Sequence, residues 1–421
     1  MAAGIFAAEA APDASVVLVD GARRPGAKIL ISGGGRCNVT HHRVQGADYN
    51  TLSAGFVRNV LKAFPVQRTR TWLDDLGVAL KQEPTGKLFP VTDKARTVLH
   101  ALLGRLDVLG ATRQQSFDVV AVRRVHRGDE PPKFEVESAA GSVLAADRVI
   151  LCTGGRSVPG SGSDGRGYRL AEALGHTVTR QHPALVSMVL HQHWFHAELA
   201  GQSHAAELVT VAEGQRKPRD RRSGSLLWTH FGLSGPLVMD ASRHHLAVTE
   251  AGGTPRWRLS VVPGCTAEQI DTALQGRCGS RPRETLLAAC EAVVRAVVPE
   301  APAPRRVLEL LLGAAGLNGG VTLAQLPRAQ RRDTAATLTA TLLPVEQHRG
   351  WNHAEVTAGG VPLSEVSWRT MESRVCPGLH LAGEILDLDG RIGGFNFQWA
   401  WATGYLAGTA AALGVGAAAR V

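Results

Sequence analysis

The spacing of apolar residues divides the chain into three textures. The opening "AAGIFAAEA" sets Ala and Ile on one helical face, and "SVVLVD" follows as a buried strand ending in an acid. Helical and strand patterns then alternate through "RTRTWLDDLGVAL", "GKLFPVTDKARTVLHALLGRL" and "SFDVVAVRRV". "KFEVESAAGSVLAADRVILCTGG" predicts a strand hairpin that leads into a buried strand from Arg148 to Leu151. These elements suit a parallel sheet with an antiparallel meander. From about His191 the strands look antiparallel, as in "AELVTVAEG" and "RWRLSVV", and Thr266 to Leu343 reads as helices rich in Leu, Ala and Arg. The first texture returns in "AEVTAGGVPLSEV" and ends in "GLHLAGEILDLDGRIGGFNFQWAWATGYLAGTAAALG": a strand, a turn of acids and glycines, and a long helix. The middle is therefore an insertion. One domain is expected over 1–190 and 346–421, and an insert over 191–345. The segment "GARRPGAKILISGGGRCNVTHH" is too dense in glycine for a regular helix or strand and reads as a loop shaped for close approach.

At 421 residues the chain can bury a large core in two or three domains. Ordinary apolar content without low-complexity blocks points to a soluble globular enzyme. The six cysteines show no C-x-x-C pair or metal-finger spacing and no signal peptide is visible, which points to a reduced, cytoplasmic protein. From Ile392 to Ala419 there is no charge, long enough on paper for a membrane span. Its Ala, Gly and Thr gain little from lipid but pack closely, so it reads as a buried helix and no membrane partner is expected. The net charge of +9 and pI near 9.6 invite an acidic partner such as RNA. The positive charge is mostly scattered arginine, and its densest run, "QRKPRDRR" from Gln215 to Arg222, reads as an exposed loop.

Candidate chemistry begins at the first helix and strand. In a dinucleotide-binding βαβ unit, G-x-G-x-x-G brings backbone to a pyrophosphate at a helix N-terminus, and an acid at the end of the second strand holds the ribose. Gly4 fits the third glycine and Asp20 the acid, which puts Met1 on the second glycine and leaves out the first strand. On this reading Met1 is not where the natural protein begins. The same residues also read as an amphipathic helix followed by an unrelated strand. Three further glycine segments follow predicted strands: "SGGGRCN" from Ser32 to Asn38, "TGG" from Thr153 to Gly155, and "GGFN" from Gly393 to Asn396. Together they describe a crevice lined by bare N–H groups, suited to a large anionic cofactor. "GSGSDGRG" also spells the fingerprint at Gly160, Gly162 and Gly165, but it follows Pro159 and not a strand, and reads as a polar loop.

"KILISGGGRCNVT", "TGGRSVPGSGS", "LLWTHFGLSGPLVMDAS", "VTAGGV" with "TMESR", and the closing "GLHLAGEILDLDGRIGGFNFQWAWATGYLAG" resemble, in order, the signatures of the BaiN/RdsA-type FAD-dependent oxidoreductases. The resemblance implies an α/β fold: an FAD-binding Rossmann-like, two-dinucleotide-binding domain, interrupted by an insert with a β-barrel part (191–264) and a helical part (265–345). Family members include an aminoacetone oxidase, a bile-acid dehydro-reductase and a ribosomal-RNA dihydrouridine synthase. The resemblance places Gly4 at the pyrophosphate, Asp20 on the adenosine ribose and Val119 by the adenine. Lys28, Ser32, Gly33, Gly34, Gly35, Arg36, Cys37 and Asn38 lie along the phosphates and flavin. Thr153, Gly154 and Gly155 come under the nucleotide, and Gly383, Glu384, Asp387, Gly393, Gly394 and Asn396 by the ribityl chain and ring. The helix N-terminus at Gly393 and Gly394 would stabilise charge at the flavin N1/O2 edge.

Two departures from the family pattern stand out: the absent first strand, and Arg166 where an acid is usual before Gly-Tyr. Cys37 has no neighbouring cysteine for dithiol chemistry and reads as a packing residue. His191, His193 and His196 lack a carboxylate or cysteine to complete a metal set. His230, inside a family signature, is the candidate proton donor. The expected activity is hydride transfer between a small-molecule substrate and noncovalent FAD, with NAD(P)H or O2 as the other partner. One alternative is a ribosomal-RNA reductase acting on a uridine C5–C6 bond, with "QRKPRDRR", "RPR" at Arg281 and "RAQRRD" from Arg328 facing the phosphates. The other is a flavin-binding protein without activity.

Overall fold

The computed structural model describes residues 1–126, 133–215 and 217–414. Arg216 of the basic run and residues 415–419 of the uncharged stretch lie outside these. The chain forms two compact units, Met1–Pro183 with Ala354–Val421, and Ala184–His353.

At the centre of the first unit is the helix Phe395–Leu413, whose small residues let a second helix, Ala2–Ala10, approach closely. A methyl placed on Gly408 would lie 2.2 Å from the Ala3 carbonyl oxygen, so only glycine admits this contact. The opening helix is therefore buried from Ala2 through Ala8, on every side and not on the single face its pattern predicts. No helix among the described residues is long and apolar enough to cross a membrane.

Strand Val17–Asp20 pairs in parallel with Thr112–Gln115, and Val149–Leu151 pairs in parallel with Leu379–Leu381. Among the described residues these are two separate two-stranded pieces. The expected meander is present as Val119–Val125, Lys133–Ser138 and Val143–Ala146, all antiparallel. A further antiparallel sheet joins Thr40–His41, Lys87–Pro90 and Leu80–Gln82. The segment expected to be an irregular loop is partly helical, over Ala27–Gly35 with a kink at Ser32, Gly33 and Gly34. Ala27 to Ile31 are good helix formers ahead of the glycines, and the break comes where the glycines begin.

In the second unit, seven strands form one sheet with Thr341–Leu343 at one edge and Val345–His348 at the other. The expected barrel is thus an open-ended order, with no pairing between its edge strands among the described residues. Both edges come from one stretch of chain interrupted by Pro344, which has no N–H to offer a ladder. Helix Pro236–Glu250 packs on this sheet, and helices Ala267–Ser280, Leu286–Val297, Arg305–Ala314 and Arg328–Ala340 follow. Thr266 and Gln269 cap the first of these four reciprocally.

Candidate functional site

The glycine segment after Ile31 turns the backbone into the left-handed region at Gly33 (φ 55°), Gly34 (φ 69°), Gly35 (φ 83°) and Cys37 (φ 62°). Such a run presents successive N–H groups to one concave side, a cradle for anionic or carbonyl oxygen. Gly33 to Gly35 are exposed, and a methyl on Gly34 would meet nothing within 4 Å. Beside them Asn38 is 8% exposed, and its Oδ1 is a buried acceptor without a donor among the described residues. Cys37 is buried, and burial pushes its thiol up to about 11 against a bond from Ser32, which makes it a poor nucleophile.

A polar knot fastens this segment to two others. Lys28 Nζ donates to the Ser157 carbonyl at 2.8 Å and to its hydroxyl. Ser157 Oγ lies 3.0 Å from Glu384 Oε1, which also accepts from the Thr357 N–H at 2.8 Å. Thr357 Oγ1 in turn accepts from the Arg156 N–H at 2.7 Å. Gly155 sits against this knot so closely that a methyl there would lie 2.3 Å from Thr357 Oγ1. Burial pushes the Lys28 ammonium below its ordinary pKa, while Glu384 and Glu355 pull the other way. Burial, then Glu384 and Asp387, hold the Tyr168 phenol well above its usual range.

The structure therefore brings Lys28, Gly155 and Glu384 together and adds Ser157 and Thr357, which sequence reasoning did not assign. Their signal was present as hydroxyls in "TGGRSVPG" and "VTAGG", beside the glycines singled out. Lys28 faces Ser157 and Glu384, and its ammonium is already engaged there.

The remaining expected residues stand as follows. Ser32 Oγ donates to the Ile29 carbonyl at 2.7 Å, and Arg36 pairs with Glu83 at 2.6 Å over the Phe89 ring. Asp20 is exposed and accepts from the Ala22 N–H at 2.9 Å, while Gly4 packs against Leu18. Val119 is half-buried at the start of its strand. Thr153 packs against Gly167, and Gly154 (φ 73°) against Ser163. The Gly383 N–H donates to Thr403 Oγ1 at 3.0 Å, and Asp387 Oδ2 accepts from Thr179 Oγ1 at 3.0 Å. Gly394 caps the long helix. The Asn396 amide spans the Gly390 N–H and carbonyl at 2.8 and 3.0 Å, so its side chain closes the turn. Arg166 pairs with Asp164 at 2.6 Å and with Asp118, which gives its departure from the family pattern partners of its own.

A second polar chain in this unit has the spacing of a nucleophile, base and acid. Ser373 Oγ lies 2.8 Å from His176 Nε2, and His176 Nδ1 lies 2.7 Å from Glu365 Oε2. Ser373 Oγ also accepts from the Cys376 N–H at 2.7 Å and the Val375 N–H at 3.0 Å. Ser373 is 5% and His176 4% exposed, so the hydroxyl is sealed and fully engaged.

In the second unit, His230 is exposed at the end of strand Asp220–Thr229. His191 and His193 are exposed and His196 buried, and no group of three or more His, Cys, Asp or Glu among the described residues is arranged to hold a metal. Part of the basic run is neutralised within the fold: Arg221 bonds Glu207 at 2.6 Å and Arg222 bonds Asp220 at 2.7 Å, while Lys217 and Arg219 are exposed and make no ion pair among the described residues. Arg281, Arg283, Arg328 and Arg332 are likewise exposed and make no ion pair among the described residues. The Ala324 N–H donates to the Pro282 carbonyl at 2.9 Å, and Arg331 bonds Asp271 at 2.7 Å, which ties the segments that carry these arginines to each other.

Comparison with known proteins decides the family. The HI0933-like protein Rossmann domain matches residues 1–410. The chain belongs to the HI0933-like family. A 3-dehydro-bile acid delta(4,6)-reductase from Clostridium scindens is 35% identical to this HI0933-like chain over 97% of its length and 96% of the reductase. A ribosomal RNA dihydrouridine synthase from Escherichia coli is 30% identical over 96% of this chain and 94% of the synthase. Among solved structures, a 3-ketosteroid-delta4-(5alpha)-dehydrogenase from Rhodococcus jostii overlays with a TM-score of 0.43 at 16% identity, covering 98% of this chain and 94% of that one. The resemblance read from the motifs holds: this HI0933-like chain is of the BaiN/RdsA type, a flavoprotein oxidoreductase family with a Rossmann-type FAD-binding domain.

Proposed function

We propose that this chain binds FAD noncovalently and passes a hydride between the flavin N5 and a carbon–carbon double bond conjugated to a carbonyl, with NAD(P)H or O2 completing the cycle in the cytoplasm. The observation that carries the reading is the convergence on one knot of segments that sequence reasoning assigned separately to the cofactor: Lys28, Gly155 and Glu384 through Ser157 and Thr357. Bound FAD would supply the redox chemistry. The protein would contribute the Gly33 to Gly35 cradle, the unpartnered Asn38 acceptor and the helix N-terminus at Gly394. The names of both relatives describe saturation of a double bond, in a 3-keto bile acid and in uridine, and these share the conjugated carbonyl. His230 is the proposed proton donor, exposed and in its signature. Acid precipitation of the purified protein should release FAD into the supernatant. Colour left in the pellet would defeat the noncovalent reading, and FMN in the supernatant would defeat the role of Asp20.

A second reading, reduction of ribosomal RNA, is favoured by one observation: Arg281, Arg283, Arg328 and Arg332 are exposed and make no ion pair among the described residues, whereas Arg221 and Arg222 of the denser run are held by Glu207 and Asp220. RNA affinity should then fall steeply with salt, and replacing these four by Ala should flatten that slope. Replacing Arg221 and Arg222 should alter it less. Absence of binding at low salt would return all of them to solvated surface.

A further inference from the structure

The strand Lys87–Pro90 runs between two of the glycine segments that the flavin reading places at the ring. Its alternation turns Leu88, 1% exposed, into the core and Lys87 and Phe89 to the opposite face. Phe89 reaches the cradle: a methyl on Gly33 would lie 3.1 Å from Phe89 Cε1. Lys87 reaches the long helix: a methyl on Gly393 would lie 3.7 Å from Lys87 Cε and 3.7 Å from His41 Cδ2. His41 stands directly across from Lys87 on the paired strand, with its ring stacked on Phe395 at 4.9 Å. Its Nδ1 lies 2.9 Å from the Arg43 carbonyl and its Nε2 3.0 Å from the Thr85 carbonyl, and a neutral imidazole donates to one of the two. The other cations along this face are neutralised, Arg36 by Glu83 and Lys81 by Asp93. Lys87 is half-buried and makes no ion pair among the described residues. A free ammonium beside a helix N-terminus concentrates positive potential at one place, and no carboxylate among the described residues stands within ion-pair reach to offset it.

We propose that Lys87 is the charge partner of the flavin's pyrimidine edge, an inference that rests on reading Gly393 and Gly394 as the N1/O2 side of the ring. When a donor C–H gives up a hydride to N5, the donor becomes oxidised and the ring system gains one negative charge, shared by N1 and the C2 carbonyl. Lys87 holds that charge by attraction and gives up no proton. Its effect is therefore on the ease of reduction and not on the fold.

The test uses flavin-loaded protein and two measurements independent of turnover: the midpoint potential of the bound flavin and the affinity for sulfite, which adds to N5 and leaves the same charge. Lys87→Met should weaken sulfite binding about tenfold and lower the potential by about 30 mV, the equivalent of tenfold for a two-electron couple. Lys87→Arg should keep both near the wild-type values. Lys81→Met, on the same face but already paired with Asp93, should leave both unchanged. Wild-type values in flavin-loaded Lys87→Met, or an equal shift in Lys81→Met, would overturn the proposal. If Lys87→Met folds but takes up no flavin, Lys87→Gln is read against the same two values. A wild-type protein that takes up no flavin would instead overturn the flavin reading, and this proposal with it.

Discussion

The Lys28, Ser157 and Glu384 knot and the Ser373, His176 and Glu365 relay lie in the same unit and use the same kinds of group, yet their surroundings differ. By distances alone the relay is the more familiar piece of chemistry, since a hydroxyl, an imidazole and a carboxylate stand in hydrogen-bonded series. Its serine, however, accepts two backbone N–H groups and is closed off from solvent. The knot contains no such triad, but it abuts Gly155 and fastens the segment whose glycines are exposed and in the left-handed region. A buried polar chain that satisfies only itself is a means of holding loops together. One that borders exposed glycine backbone is placed to hold something else.

The largest expected effect separates the two through Glu384. Glu384→Ala would leave the Ser157 hydroxyl and the Thr357 N–H without their acceptor and the Lys28 ammonium without its nearby countercharge, a break in a part-buried charged network that typically costs about 3 kcal/mol or more. Urea unfolding should register that loss, and flavin content should fall with it. Glu384→Gln keeps an acceptor for Thr357 and should cost less. If both variants hold flavin as the wild type does, the knot is only structural and the contrast with the relay disappears.

Ser373→Ala is the matching experiment in the relay. It removes the acceptor for Val375 and Cys376 and the donor for His176 Nε2, which should cost about 1–3 kcal/mol by urea unfolding. Flavin content and turnover per folded molecule should not change. A folded Ser373→Ala protein that lost activity would show that the relay takes part in the chemistry after all.

The sequence made the cofactor side of this contrast visible and left the relay hidden, for physical reasons. Gly33 to Gly35, Gly155 and Gly393 are legible because bare backbone needs glycine, and glycine in short runs after strands stands out in any chain. The long buried helix was equally legible over its described part, since an uncharged stretch of small residues has few other uses. His176, Ser373 and Glu365 carry no local signature: they lie far apart in the chain and meet only through tertiary packing. The same limit explains the basic run. Sequence density pointed to Gln215 to Arg222, but Glu207 on the neighbouring strand neutralises Arg221, and only the strand register brings them together. The insert's strands were legible singly, whereas the order of the sheet and its Pro344 break depend on pairing that alternation does not encode.

The smallest expected effect lies in the pH dependence of stability, where the two chains should leave opposite marks. Lys28 has a folded pKa below its ordinary 10.5, because burial disfavours the charged form. Between that lowered value and 10.5 the unfolded chain binds more protons than the folded one, so this group makes the protein more stable as pH rises, levelling off above 10.5. Glu365 is the reverse case. Desolvation pushes its carboxyl up, but the bonds from Thr177 and His176 outweigh that and hold it below its ordinary 4.5. Its contribution is complete above 4.5 and is lost as pH falls through the lowered value. Stability measured by urea unfolding across both ranges, for the wild type, Lys28→Met and Glu365→Gln, isolates each group as a difference in slope. Lys28→Met should remove only the alkaline rise and Glu365→Gln only the acid loss. An acid-side change in Lys28→Met would mean that the knot and the relay are coupled through the loops between them, and that the flavin-side network is not independent of its sealed neighbour.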